Sequence, residues 1–174
     1  RGAELSTDTL SLPKVSRMPT EELLKGIKEA TDERLFMIYE ALKRNITVDE
    51  LYQMTKIDRW FLYKIENLVR FENSIQHRKI SFEEYIIAKK LGYTDNAIRT
   101  ITGHDPGFSV SPVYKMVDTC AGEFEAQTPY FYSAYNLTEA GGENEADVEN
   151  TDGRDTVIVL GSGPIRIGQG IEFD

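Results

Sequence analysis

Thr47-Val48-Asp49-Glu50-Leu51-Tyr52-Gln53-Met54-Thr55-Lys56-Ile57-Asp58-Arg59-Trp60-Phe61-Leu62-Tyr63-Lys64-Ile65-Glu66-Asn67-Leu68-Val69 holds two helix starts a short turn apart. Thr47 and Glu50 have the spacing of a capping box, in which each side chain reaches the other residue's backbone amide. The helix that this box opens runs through Met54. Lys56-Ile57-Asp58 reads as a turn, and Asp58 begins a longer helix in which Phe61, Leu62, Ile65, Leu68 and Val69 form an apolar stripe.

The same signals recur on both sides. Upstream, Thr20 after Pro19 and before Glu21 and Glu22 combines a hydroxyl cap with first-turn carboxylates. Thr31 and Asp32 restart the pattern; Leu35, Ile38, Tyr39 and Leu42 then share one face until Asn45 ends it. Downstream, Ser81 opens a helix to Leu91 with Phe82 and Ile86 inward, and Gly92 ends it. Thr94 and Asp95 cap a last short helix that closes near Gly103. The expected fold is mainly α, a small helical domain.

The pattern changes at His104-Asp105-Pro106-Gly107, where proline and glycine interrupt the helical series. Val113 to Val117 and Pro129 to Tyr135 are aromatic or loosely alternating and read as extended segments. Gly141 to Asp155 carries Glu143, Glu145, Asp147, Glu149, Asp152 and Asp155 against Arg154 alone, the composition of a solvated linker. Thr156-Val157-Ile158-Val159-Leu160 is an unbroken apolar run, as in a strand buried on both faces of a parallel sheet. Such a strand needs neighbours and covering helices, yet the sequence stops at Asp174. The expectation is therefore a helical domain with exit segment and acidic linker over 1–155, followed over 156–174 by the truncated start of an α/β domain.

Composition bounds the function. The 174 residues include 40% hydrophobic and 10% aromatic residues, enough for a core, which excludes wholesale disorder. No apolar stretch approaches the roughly 20 residues of a membrane-spanning helix, so a soluble chain is expected. Lys and Arg number 20 against 29 Asp and Glu, and the net charge of -9 opposes nucleic-acid binding, which depends on cationic contacts to phosphate. The single Cys120 rules out a disulfide framework and makes a reducing compartment the default. The chain begins Arg1-Gly2-Ala3, with neither an initiator Met nor a signal sequence, which suggests processing or excision from something longer.

The most chemically suggestive segment is Gly161-Ser162-Gly163-Pro164-Ile165-Arg166-Ile167-Gly168-Gln169-Gly170. Glycines after a buried strand let backbone amides approach a phosphate. Arg166 stands where a dinucleotide fingerprint needs glycine, however, and no Gly-Lys-Ser/Thr follows as in a Walker loop. A tight turn packing strand against helix is the competing reading. The Thr47 to Val69 pair also imitates a helix-turn-helix regulatory module, which would need a basic face around Arg59, Lys64 and Arg70. Its second helix opens on Trp60 and Phe61, which suit packing better than base edges. Cys120 with His77 or His104 has no spacing that pairs a nucleophile with a base, and two distant histidines give no metal-ligand pattern. Cys120 reads as a small buried hydrophobe. Trp60, Phe61 and the Tyr130 to Tyr135 aromatics are candidates for partner binding, or for core.

Three stretches together resemble the large subunit of carbamoyl phosphate synthetases. They are Ile57-Asp58-Arg59-Trp60-Phe61-Leu62, the run Pro112-Val113-Tyr114-Lys115-Met116-Val117-Asp118-Thr119-Cys120-Ala121-Gly122-Glu123-Phe124, and the loop from Gly161 continuing through Ile171-Glu172-Phe173-Asp174. The resemblance implies that 1–155 is the helical oligomerisation domain between two synthetase halves, with its exit segment. It implies that 156–174 is the first strand and glycine-rich loop of the pre-ATP-grasp domain of the second half. Parents of this kind make carbamoyl phosphate from bicarbonate, glutamine-derived ammonia and two ATP, with Mg or Mn and K, for pyrimidine and arginine synthesis in the cytoplasm. Their catalytic residues would lie outside this sequence, so no catalytic residue, cofactor or metal is expected in the fragment itself. Gly161, Gly163, Arg166, Gly168, Gln169 and Gly170 would bind nucleotide only within the complete half. The implied partners are further copies of the chain and a glutaminase subunit or domain, with no nucleic acid and no membrane.

Overall fold

The computed structural model describes residues 7–125, 130–135, 144–146 and 157. The expected strand at Thr156 to Leu160 and the glycine-rich loop after it lie outside the described residues, apart from Val157. The chain groups into two compact units, one of them Thr7–Val110, the other drawn mainly from Ser111 onward.

The first unit is helical: α1 (Pro13–Ser16), α2 (Thr20–Lys28), α3 (Arg34–Lys43), α4 (Val48–Thr55), α5 (Arg59–Ile75), α6 (Phe82–Lys90) and α7 (Asp95–Thr102). Local chemistry sets most of their ends. The Thr47 and Ser81 capping boxes both form, with Thr47 Oγ1 accepting from the Glu50 amide and Ser81 Oγ from that of Glu84. Asp58 and Thr94 accept from the amides of Trp60 and Ala97. Asn45, Lys56 and Gly103 take left-handed backbone angles where α3, α4 and α7 end. Two expected starts differ. Thr20 is the first residue of α2 and not its cap; its hydroxyl accepts from Arg44 at 3.2 Å. At Thr31 and Asp32 the chain makes only a turn, and α3 begins at Arg34 without a side-chain cap. Here tertiary hydrogen bonds replace local ones. The Arg44 guanidinium donates to the carbonyls of Met18 (2.8 Å) and Ser16 (3.1 Å), satisfying groups that the short α1 leaves free.

The long helix α5 and the central α3 organise the packing. Helix α3 meets α1, α2 and α5, so Phe36 through Leu42 are all buried. This corrects the single-face expectation. A helix surrounded by neighbours buries every side, while Leu35, at its open end, is 46% exposed. At Gly26, α2 faces the end of the Met37 side chain of α3, whose Sδ would lie 2.6 Å from a Cβ there. Val15, Leu23, Ile27, Leu51, Leu62 and Ile75 are fully buried. Burying each such aliphatic side chain is worth about 1.5–3 kcal/mol. Around α6 and α7, Tyr85, Ala88, Tyr93, Ala97 and Ile98 form a buried cluster, covered by Leu68, Phe71 and Phe108 among others. Phe82 is largely exposed, contrary to expectation, with its ring edge against Phe108 at 5.4 Å; Tyr85 takes the inward position instead.

In the second unit, β1 (Val113–Met116) pairs antiparallel with β2 (Phe131–Ala134), Val113 opposite Ala134 and Met116 opposite Phe131. The acidic stretch is not uniformly solvated. Glu145 accepts from the Met116 amide (2.6 Å) and Lys115 Nζ (2.9 Å), and its own amide donates to the Tyr114 carbonyl. These bonds hold its carboxyl below the usual range, the Met116 amide contributing most.

Candidate functional site

The singled-out residues that fall within the described part of the chain can be placed. His77 and His104 are exposed turn residues on the helical unit; the His77 amide donates to the Ile101 carbonyl. Cys120 is half-buried, not a core residue, in a turn where its amide donates to Asp118 and its sulfur lies 3.9 Å from Thr119 Oγ1. Among the described residues, no three His, Cys, Asp or Glu side chains converge as a metal site would require. The nucleotide-binding candidates Gly161, Gly163, Arg166, Gly168, Gln169 and Gly170 lie outside the described residues.

The α4–turn–α5 geometry does not favour DNA reading. Arg59 Nε bonds Asp49 at 2.6 Å while its guanidinium stacks 3.7 Å above the Tyr52 ring. The Asp49 hydrogen bond raises the Arg59 pKa above its ordinary value. Arg70 pairs with Glu66 at 2.8 Å, and Lys64 sits 4.9 Å over the Trp60 ring. Two of the three cations expected there, Arg59 and Arg70, are paired with carboxylates.

Between the two roles open to the aromatics on α5, the structure chooses exposure. Trp60 is 59% and Phe61 57% exposed, packed edge to face with centroids 4.9 Å apart, and Tyr63, on the side of the helix away from Phe61, is 47% exposed. Phe61 therefore leaves the expected stripe, which continues instead through Leu62, Val69, Glu72 and Ile75.

Glu72 was missed by the sequence reading. Its carboxylate is buried, accepting from the Tyr39 hydroxyl on one oxygen and from the Tyr93 hydroxyl (2.8 Å) on the other. The signal was an acidic residue three positions after Val69, where the stripe calls for an apolar one. Burial first, and then Glu72, raise both phenol pKa values far above the ordinary tyrosine value. At neutral pH these phenols keep their protons, and the trio ties α3, α5 and the turn before α7 together. A cleft of about 240 Å³ opens beside it, bordered by Lys43, Gln76, His77 and Thr100.

Sequence comparison adds the context. The family described as carbamoyl-phosphate synthetase large chain, oligomerisation domain, matches residues 1–115, a span that encloses the helical unit. The carbamoyl phosphate synthase large chain of Thermoanaerobacter sp. (strain X514) is 46% identical over the whole chain, which spans 16% of that relative's length. That of Clostridium acetobutylicum is 44% identical over 95% of the chain, again 16% of the relative. The carbamoyl phosphate synthase large chain of Methanothermobacter thermautotrophicus is 43% identical over 85% of the chain, 14% of that relative.

Proposed function

Since this chain belongs to the carbamoyl-phosphate synthetase large-chain family and corresponds there to the oligomerisation domain, we propose that it works as a non-catalytic element. It joins two synthetase halves and supplies contacts for self-association. The observation that carries this is the coincidence of the matched span, 1–115, with the compact helical unit Thr7–Val110. On this reading the complete enzyme makes carbamoyl phosphate from bicarbonate, ammonia and ATP in the cytoplasm, using Mg or Mn and K and ammonia from a glutaminase partner. Residues 156–174 begin its second half, and Gly161, Gly163, Arg166, Gly168, Gln169 and Gly170 contact nucleotide only when that half is whole.

Sedimentation equilibrium of the chain across concentration, with and without ATP and magnesium, tests the proposal. Reversible self-association unaffected by nucleotide is the expected result. A chain that stays monomeric throughout and responds to ATP would overturn it and move the function to the glycine-rich loop.

A further inference from the structure

The cleft beside Glu72 has a buried floor and an exposed rim of opposite electrical character. Tyr39 on α3 and Glu72 on α5 form the floor. Lys43 and Gln76 stand four residues further along the same two helices, about 6 Å nearer the opening at 1.5 Å per residue, and both are exposed.

Two independent features make the floor electronegative. The Glu72 side chain is buried, and among the described residues its carboxylate is met by two tyrosine hydroxyls and by no cation. A buried carboxylate without a counter-charge is costly, and each of its oxygens can accept a further hydrogen bond. The cleft also lies where three helices finish: α3 at Lys43, α5 at Ile75 and α7 at Thr102. Helix C-termini carry partial negative charge and favour a cation. At the rim, Lys43 Nζ lies 5.4 Å from the centre of the Tyr39 ring, and neither it nor the His77 ring has a carboxylate partner among the described residues. The carboxamides of Asn73 and Gln76 border the same opening.

The size narrows the occupant. At about 240 Å³ the cleft is smaller than the roughly 300–1,000 Å³ of sites that take drug-sized molecules. It equals the liquid volume of about eight waters. We propose that it binds a small polar α-amino acid as the zwitterion. The ammonium donates to Glu72 and supplies the missing counter-charge, the carboxylate accepts from Lys43 and His77, and the side chain meets Asn73 and Gln76. A simple amine would satisfy the floor but leave its charge facing Lys43 with no anion between them. The site needs neither self-association nor the second synthetase half, so it stands apart from the connecting role proposed above.

An amide NMR titration of the isotope-labelled 174-residue chain tests it. Glycine, L-serine and L-asparagine are the probes; ethylamine and propionate carry one charge each and serve as comparisons. The expected result is a saturable shift of the Lys43, His77 and Ile101 amides with at least one amino acid and weaker binding of both comparisons. Lys43→Met, at an exposed position, and Glu72→Gln, which still offers the tyrosines an acceptor, should each weaken binding at least about tenfold, the loss that one charged hydrogen bond carries. No saturable shift below about 10 mM with any of the three amino acids would overturn the proposal. So would an unchanged affinity in Lys43→Met, which places the ligand elsewhere. Ethylamine binding as tightly as the amino acids would overturn it by assigning the cleft to a lone cation, and propionate doing so would assign it to an anion.

Discussion

Glu72 and its two tyrosines allow the packing argument to be tested quantitatively. Each tyrosine hydroxyl donates to a charged acceptor away from water, and such a bond contributes about 1.5–3 kcal/mol. Tyr39→Phe and Tyr93→Phe should therefore each cost about 2 kcal/mol, or about 10 °C in Tm for a unit of about 100 residues. The double variant leaves a buried carboxylate without donors and should cost about 4 kcal/mol or more. Adding Glu72→Met removes the carboxylate, and stability should return to within about 1–2 kcal/mol of the parent, because a buried polar group replaced together with its partners is nearly neutral. Urea unfolding followed by circular dichroism at 222 nm reads all four proteins. A triple variant no more stable than the double would refute the reasoning, because the cost would then lie in packing and not in the orphaned charge. The phenols add a pH dependence. Their native pKa values are raised above the unfolded value of about 10, so their contribution is complete below pH 10 and is lost as pH rises beyond it, by up to about 1.4 kcal/mol per pH unit for each tyrosine. The Tyr39→Phe, Tyr93→Phe double variant should lack this component of alkaline loss.

Two further outcomes follow from the helices. Glu84 closes the Ser81 capping box and meets Arg78, whose hydrogen bond, with that of the Ser81 amide, lowers its pKa from 4.5 to about 2. Its stabilisation is present above pH 4.5 and disappears as pH falls toward 2; Glu84→Gln should melt lower than the parent at pH 6, with the gap closing near pH 2, and a gap constant with pH would contradict this. Gly26→Ala sets a gain of about 1 kcal/mol in helix propensity against a Cβ 2.6 Å from Met37 Sδ. The atoms it meets are the end of a flexible methionine that borders an open cleft and can give way at little cost, so the variant should be up to about 1 kcal/mol more stable in urea, whereas a loss would mean that Met37 is fixed in place.

The sequence alone determined where most helices begin and end, because those signals are local. Capping boxes at Thr47 and Ser81, caps at Asp58 and Thr94, and the left-handed Asn45 and Gly103 each involve atoms within a few residues of one another. The family was legible as well, since three short motifs in a set order carry that information without folding. Tertiary structure alone decided which side chains face inward. Periodicity places Phe61 and Leu62 on the same broad stripe, yet Leu62 is fully buried and Phe61 is 57% exposed. It places Ile38 on one face of α3, but neighbours cover every side from Phe36 to Leu42. A buried Glu72 looks like an error until Tyr39 and Tyr93, distant in sequence, arrive with their hydroxyls. Burial depends on what packs against a surface, and those partners come from elements far apart in the chain, so one helix read by itself shows which residues can be buried but not which are.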